Sequence, residues 1–219
     1  MTKQEWIDIT QPLTDDIGHW PGDIPFSYRL TYPKEQTGSV NIGQMTTSLH
    51  TGTHADAPFH FDNEGKKIDE LDVNIYIGPT RVVDVTGVKR IGSHELSQFD
   101  LTGVNRLLLR TTKDHNPNRF PANVPEIQED AGPFLKEKGI FLLGVDVPSI
   151  DALDSKTMTA HHSLHANGIH ILENLLLAGI KPGEYELIAL PMLIKGADGS
   201  PVRAVIRPLR AGNRTQTEE

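Results

Sequence analysis

Short runs of aliphatic and β-branched residues recur along the chain between Gly, Pro, Asp and Asn, which is the punctuation of a strand-rich protein. The runs that predict strands are Trp6 to Thr10, Gln44 to Leu49, Arg81 to Val85, Arg106 to Thr111, Ile140 to Val145, Tyr185 to Pro191 and Val202 to Arg207. Several are apolar at consecutive positions rather than alternating, the pattern of strands covered on both faces. Helical signals are fewer. Ser93 predicts the N-cap of a short helix reaching Gln98, and Ile127 to Lys138 carries acids early, lysines late and Gly139 as a stop. A third helix is predicted over Ile169 to Ala178, where Ile171, Leu172, Leu175 and Leu176 recur at helical spacing. Lys113 to Pro125 is a polar loop with three prolines, and Lys195 to Pro201, with two glycines, is predicted to link the last two strands. The fold class is strand-rich α/β.

Length and charge narrow this picture. A chain of 219 residues suits one large domain, expected over 1–211, with a frayed tail over 212–219. Hydrophobic residues at 37% and charged residues at 23% are ordinary for a globular protein, and a net charge of -8 without a basic cluster argues against nucleic-acid binding. The opening Met1-Thr2-Lys3-Gln4-Glu5 lacks the apolar core of a signal peptide, and no apolar run approaches a membrane span, so the expectation is a cytoplasmic protein. The absence of cysteine excludes a thiolate nucleophile and requires any metal to be held by nitrogen and oxygen.

That restriction gives weight to His50-Thr51-Gly52-Thr53-His54-Ala55-Asp56-Ala57-Pro58-Phe59-His60, where three imidazoles and a carboxylate fall among small and turn-favouring residues. Such donors suit zinc or a neighbouring divalent transition metal, whereas Mg²⁺ and Ca²⁺ prefer oxygen shells. Gly52, two threonines and Pro58 oppose a helix, so the segment is predicted to be a shaped loop following the strand that ends at Leu49. A second cluster, Ala160-His161-His162-Ser163-Leu164-His165, precedes Glu173, which sits among apolar neighbours from Ile171 to Leu177. On the predicted helix that carboxylate is either buried and in need of a cation or exposed at a boundary position.

The motif H-x-G-T-H-x-D-x-P-x-H resembles the signature of the metal-dependent cyclase-like hydrolase superfamily. Ile7-Asp8-Ile9-Thr10-Gln11-Pro12-Leu13, Trp20-Pro21-Gly22-Asp23, Gly144-Val145-Asp146-Val147-Pro148-Ser149 and His161 with Ile171-Leu172-Glu173 extend the resemblance over most of the chain. Within it, the His19-Trp20-Pro21-Gly22-Asp23 start, Ala160-His161-His162 and the overall length are most similar to the bacterial kynurenine formamidases (arylformamidases). The resemblance implies a swivelling β/β/α domain, usually in a homodimer, that hydrolyses N-formyl-L-kynurenine to L-kynurenine and formate in tryptophan degradation. It implies two Zn²⁺ per subunit, with Mn²⁺ the other candidate. His50, His54 and Asp56 would hold the first ion, Asp56 would bridge, and His161 and Glu173 would complete the second. Between the adjacent His161 and His162, the motif selects His161. His60 would act as general acid/base with metal-activated water, and Trp20 would pack on the substrate ring. His19, His94, His115, His165 and His170 are expected to be structural or solvated. The rival readings are an isatin or other cyclic-amide hydrolase of the same superfamily and a non-catalytic metal-binding protein.

Overall fold

The computed structural model describes residues 5–209, so the predicted frayed tail lies outside the described residues. Thirteen strands are present among them: β1 (Ile7–Asp8), β2 (Ser27–Tyr32), β3 (Ile42–Thr46), β4 (His54–Asp56), β5 (Ile77–Asp84), β6 (Arg90–Ile91), β7 (Arg106–Arg110), β8 (Glu126–Ile127), β9 (Leu142–Val145), β10 (His170–Glu173), β11 (Gly183–Ile188), β12 (Gly199–Pro201) and β13 (Val205–Pro208). The helices are short: α1 (Lys34–Thr37), α2 (Ser93–Leu96), α3 (Ala131–Glu137) and α4 (Thr159–Ala166).

Nine strands form one mixed sheet in the order β1-β13-β11-β5-β7-β9-β10-β4-β12. Its centre, β5-β7-β9-β10, is parallel, and the flanking pairs are antiparallel. Leu107, Leu108, Leu109, Leu142 and Leu143 are fully buried because both faces of this centre are covered. Leu107, Leu109 and Leu143 face a core shared with Leu135 of α3 and Leu164 of α4. Leu108 and Leu142 face a second core with Ile9, Tyr76, Leu187 and Ile206, where the sheet curls over itself.

Most predicted strands are present with shifted ends. The run expected from Gln44 ends at Thr46, while the one expected from Arg81 begins at Ile77. The helix predicted over Ile169 to Ala178 is absent: its first half is β10, parallel to β9 and antiparallel to β4, and Asn174 then takes a left-handed turn at φ 57°. A strand buried on both faces offers apolar residues at every position, and such a run satisfies helical spacing by accident. The helix expected over Ile127 to Lys138 starts only at Ala131, because Ile127 pairs in β8 with β6. Gly92, not Ser93, caps α2, and the Ser93 hydroxyl donates to Asp130 instead. The Lys195 to Pro201 loop contains β12, which pairs with β4. The motif segment, expected to be all loop, holds β4 at its centre.

Candidate metal centre

Strand alternation sends His54 and Asp56 of β4 to the same face, and the β4–β10 register sets Glu173 directly opposite His54. The turn into β4 passes through Gly52 at φ 70°, a conformation that strains any other residue. His161 comes from the first turn of α4. Asp151 anchors it there, accepting from the backbone N–H of Ala160 (2.9 Å) and of His161 (3.1 Å) and from His161 Nδ1 (2.6 Å). Glu173 Oε1 accepts from the Ile150 N–H at 3.0 Å. His54, Asp56, His161 and Glu173 are all buried, between 1% and 3% exposed.

Each buried imidazole is wired so that one nitrogen faces the cluster. His54 Nδ1 donates to the Gly52 carbonyl at 2.8 Å, which leaves Nε2 at 3.3 Å from Asp56 Oδ1 and 3.5 Å from Glu173 Oε2. His161 Nδ1 is held by Asp151, which leaves Nε2 at 3.6 Å from Asp56 Oδ2 and 3.7 Å from Glu173 Oε1. His50 contacts Asp198 through Nε2 at 2.9 Å and faces Asp56 Oδ1 through Nδ1 at 3.0 Å. Among the described residues, buried His54 Nε2 and Asp56 Oδ2 have no hydrogen-bond partner. An orphaned donor–acceptor pair costs free energy unless something fills the gap between them. Two ligands bound at about 2.0–2.1 Å to one tetrahedral ion lie roughly 3.3 Å apart, close to the separations found here. The donor atoms of His50, His54 and Asp56 lie within 4.8 Å of one another, as do those of Asp56, His161 and Glu173, and each set could hold an ion.

The electrostatics follow from burial against charge. Burial opposes a charged His54, yet Asp56 and Glu173 overcome it and push its pKa up to about 10. His161 is likewise raised to about 10 against burial by Asp151, Asp56 and Glu173. Burial also opposes ionisation of Asp56, but His161, His50 and His54 hold it well below the carboxylate range, while burial and the neighbouring Asp56 push Glu173 up. Without metal the cluster is therefore a protonated His–carboxylate network, and an ion entering it displaces protons from the imidazoles.

His60 stands apart at the mouth. Its ring lies 3.9 Å from that of His50, its Nδ1 is 3.6 Å from Asp198 Oδ2, and its side chain remains 31% exposed. Asp198, whose carboxyl is held to about 2 chiefly by His50, groups with His50 and His60 in a third donor set. Sequence reasoning missed it, along with Asp151, because lone acids in turns carry no periodicity that ties them to a distant motif. His162, the next residue of α4, is exposed, and the structure brings His161 rather than His162 into the cluster. A cavity of about 300 Å³ opens over the cluster, lined by Trp20, His60, Phe120 and Met158 as well as His19, which was expected to be solvated. Trp20 meets Phe120 edge-on, with ring centroids 5.3 Å apart.

The family model described as "Putative cyclase" matches residues 7–152. Kynurenine formamidase of Bacillus cereus is 59% identical over 95% of this chain and the whole of that protein, and kynurenine formamidase of Bacillus anthracis is 57% identical over the same shares. The chain belongs to the cyclase family, among the kynurenine formamidases. Solved structures share its strand-rich fold. A "predicted metal-dependent hydrolase" from Bacillus stearothermophilus superposes with a TM-score of 0.80 at 25% identity, covering 95% of this chain and all of that one. Isatin hydrolase A from Labrenzia aggregata superposes at 0.77 and 21% identity, covering 94% of each chain, a likeness of fold alone.

Proposed function

We propose that this protein is an arylformamidase that hydrolyses N-formyl-L-kynurenine to L-kynurenine and formate in tryptophan degradation. The observation that carries the reading is near-60% identity over the full length of kynurenine formamidases, in a chain whose buried donors form the two sets described above. Two zinc ions would be held by His50, His54 and Asp56 on one side and by Asp56, His161 and Glu173 on the other, with Asp56 shared. When bound, such ions supply Lewis acidity and lower the pKa of water toward neutrality.

The chain's own residues do the rest. Trp20 and Phe120 form an aromatic wall on which the substrate ring packs. His60, neutral at pH 7 because burial and the neighbouring His50 and His161 outweigh the pull of Asp56, accepts a proton from the attacking water and delivers it to the departing arylamine nitrogen. Asp198 Oδ2, hydrogen-bonded to His50 Nε2 at 2.9 Å, lies 3.6 Å from His60 Nδ1 and places a negative charge beside the ring. Purified protein is expected to release formate from N-formyl-L-kynurenine, to lose that activity on chelation and to regain it with zinc. Inactivity of the zinc-loaded protein on this substrate, with turnover of isatin, would replace the formamidase by a cyclic-amide hydrolase.

The protein is further proposed to be a cytoplasmic homodimer. Among the described residues no helix is long and apolar enough to cross a membrane. The β2–β3 ribbon supports the dimer: Tyr28, Leu30, Tyr32, Ile42 and Met45 are all exposed, and a two-stranded ribbon is marginally stable unless another surface covers it. Light scattering should give twice the 24.2 kDa chain mass, and a monomer at micromolar concentration would refute the dimer.

A further inference from the structure

A second cavity, of about 370 Å³, adjoins the first and shares Gly18, Phe120, Pro148 and Asn174 with it. Both open at the carboxyl ends of the parallel strands: Thr111 follows β7, Asp146 follows β9 and Asn174 follows β10. That edge of an α/β sheet is where ligands bind, because backbone groups and loop side chains converge there. The two cavities differ in chemistry. The first presents histidines and an aromatic wall, whereas the second is lined by Gln11, Asp114, His115, Arg119, Asp146 and Asn174.

Much of this lining is fixed in place. Asp146 accepts from the Thr111 N–H at 2.9 Å, the Thr111 hydroxyl at 2.6 Å and the Thr112 N–H at 3.2 Å, so its carboxylate is a structural wall rather than a free ligand. Gln11 Nε2 lies 2.7 Å from His115 Nε2 and 3.4 Å from Asn174 Oδ1. With the amide donating, His115 Nε2 is the acceptor and its Nδ1 carries the proton. The 113–125 loop is clamped to the chain before Trp20: Gly18 N–H donates to Pro117 at 2.7 Å, and a side chain at Gly18 would meet the Phe120 nitrogen at 2.6 Å. Against this fixed frame, Arg119 and Asp114 are exposed, and neither side chain is engaged in a hydrogen bond or ion pair among the described residues.

We propose that the second cavity receives the zwitterionic α-amino-acid end of the substrate, with the Arg119 guanidinium on its carboxylate and the Asp114 carboxylate on its ammonium. The inference rests on the formamidase reading. It follows from the two-part chemistry of that substrate, whose arylformamide suits the first cavity and whose amino-acid end suits only a site with one free cation and one free anion. The formyl carbon and the α-carbon are separated by roughly 7 Å, about two residues of extended chain, and the two cavities are adjacent through shared walls. Arg is the side chain whose planar fork matches a carboxylate.

The test compares the zinc-loaded wild type, Arg119→Ala and Arg119→Lys on N-formyl-L-kynurenine and on formanilide, which has the arylformamide without the amino-acid end. In Arg119→Ala the ratio of kcat/KM for N-formyl-L-kynurenine to that for formanilide is expected to fall about ten- to a hundredfold, mainly through KM, as for loss of a charged hydrogen bond. Arg119→Lys should recover part of it. A parallel fall on both substrates would mean that Arg119 only supports the loop, and an unchanged ratio would mean that it does not touch the substrate; either result overturns the inference while leaving the formamidase in place. A wild type inactive on both substrates would remove the formamidase reading and this inference with it.

Discussion

Replacing Asp56 with asparagine is expected to strip at least one metal ion from the protein and to lower turnover by a factor on the order of 10³ or more, the scale of losing metal-assisted catalysis. Asp56 belongs to both donor sets, and its two oxygens face opposite partners: Oδ1 lies near His50 and His54, Oδ2 near His161. Asparagine keeps the shape but has one acceptor oxygen and no charge, so it cannot serve both sides. The metal-free protein should suffer too. Breaking a buried ion pair from one side costs about 3–5 kcal/mol, because the partner charges remain buried without their counter-ion. Metal analysis and thermal melts of the purified variant check both effects, and two retained ions with an unchanged melt would refute the bridging role.

The same network sets a pH signature. His54 and His161 are raised to about 10 in the fold, above an unfolded value near 6.5, so the stability they contribute to the metal-free protein is complete below about 6.5 and is lost as pH rises through about 10. Asp56 is depressed, so its contribution is present above about 3.9 and is lost in acid. Metal-free wild type should therefore be most stable in the mildly acidic range and weaken toward alkaline pH. In the loaded protein the imidazoles ligate as neutral groups, so the gap in stability between loaded and metal-free forms should widen as pH rises. In Asp56→Asn the alkaline loss should flatten.

The sequence made the donors legible before the architecture that gathers them. The density of His50, His54, Asp56 and His60 in a cysteine-free chain signalled chemistry by itself, and the structure sets the first three of these against His161 and Glu173. What the pattern misjudged is instructive. Glu173 drew attention as a carboxylate on an apolar helix face, but it sits on β10, where its neighbour across the sheet is His54. The pattern left burial and exposure of Glu173 both open, the structure buries it, and the element was wrong, because consecutive apolar residues do not distinguish a doubly covered strand from a helix. The helix that carries His161 went unread because its start depends on Met158 at φ 46° and on capping by Asp151, neither of which has a local sequence signature. Asp198 reaches the site only because β12 pairs with β4, a contact between residues far apart in the chain.

Removing the His60 imidazole is expected to lower kcat by about 10²–10⁴-fold while both ions stay bound, the range for loss of a general acid/base. The geometry offers a direct rival: His60, His50 and Asp198 have donor atoms within 4.8 Å of one another, so His60 can also be read as a ligand. Exposure separates the two readings. The side chains of His54, His161 and His50 are 1%, 2% and 20% exposed and each ring is hydrogen-bonded, whereas that of His60 is 31% exposed and makes no side-chain hydrogen bond among the described residues. A ligand needs a fixed, dry nitrogen, while a proton relay needs contact with substrate and access to water. Metal analysis of His60→Ala decides between them. Full metal content with kcat lost, KM little changed and partial rescue by added imidazole supports the relay, since the open mouth leaves room for a free imidazole. Loss of an ion in His60→Ala would make His60 a ligand, close the third donor set around Asp198, and return the search for the proton donor to the remaining polar groups of the cavity.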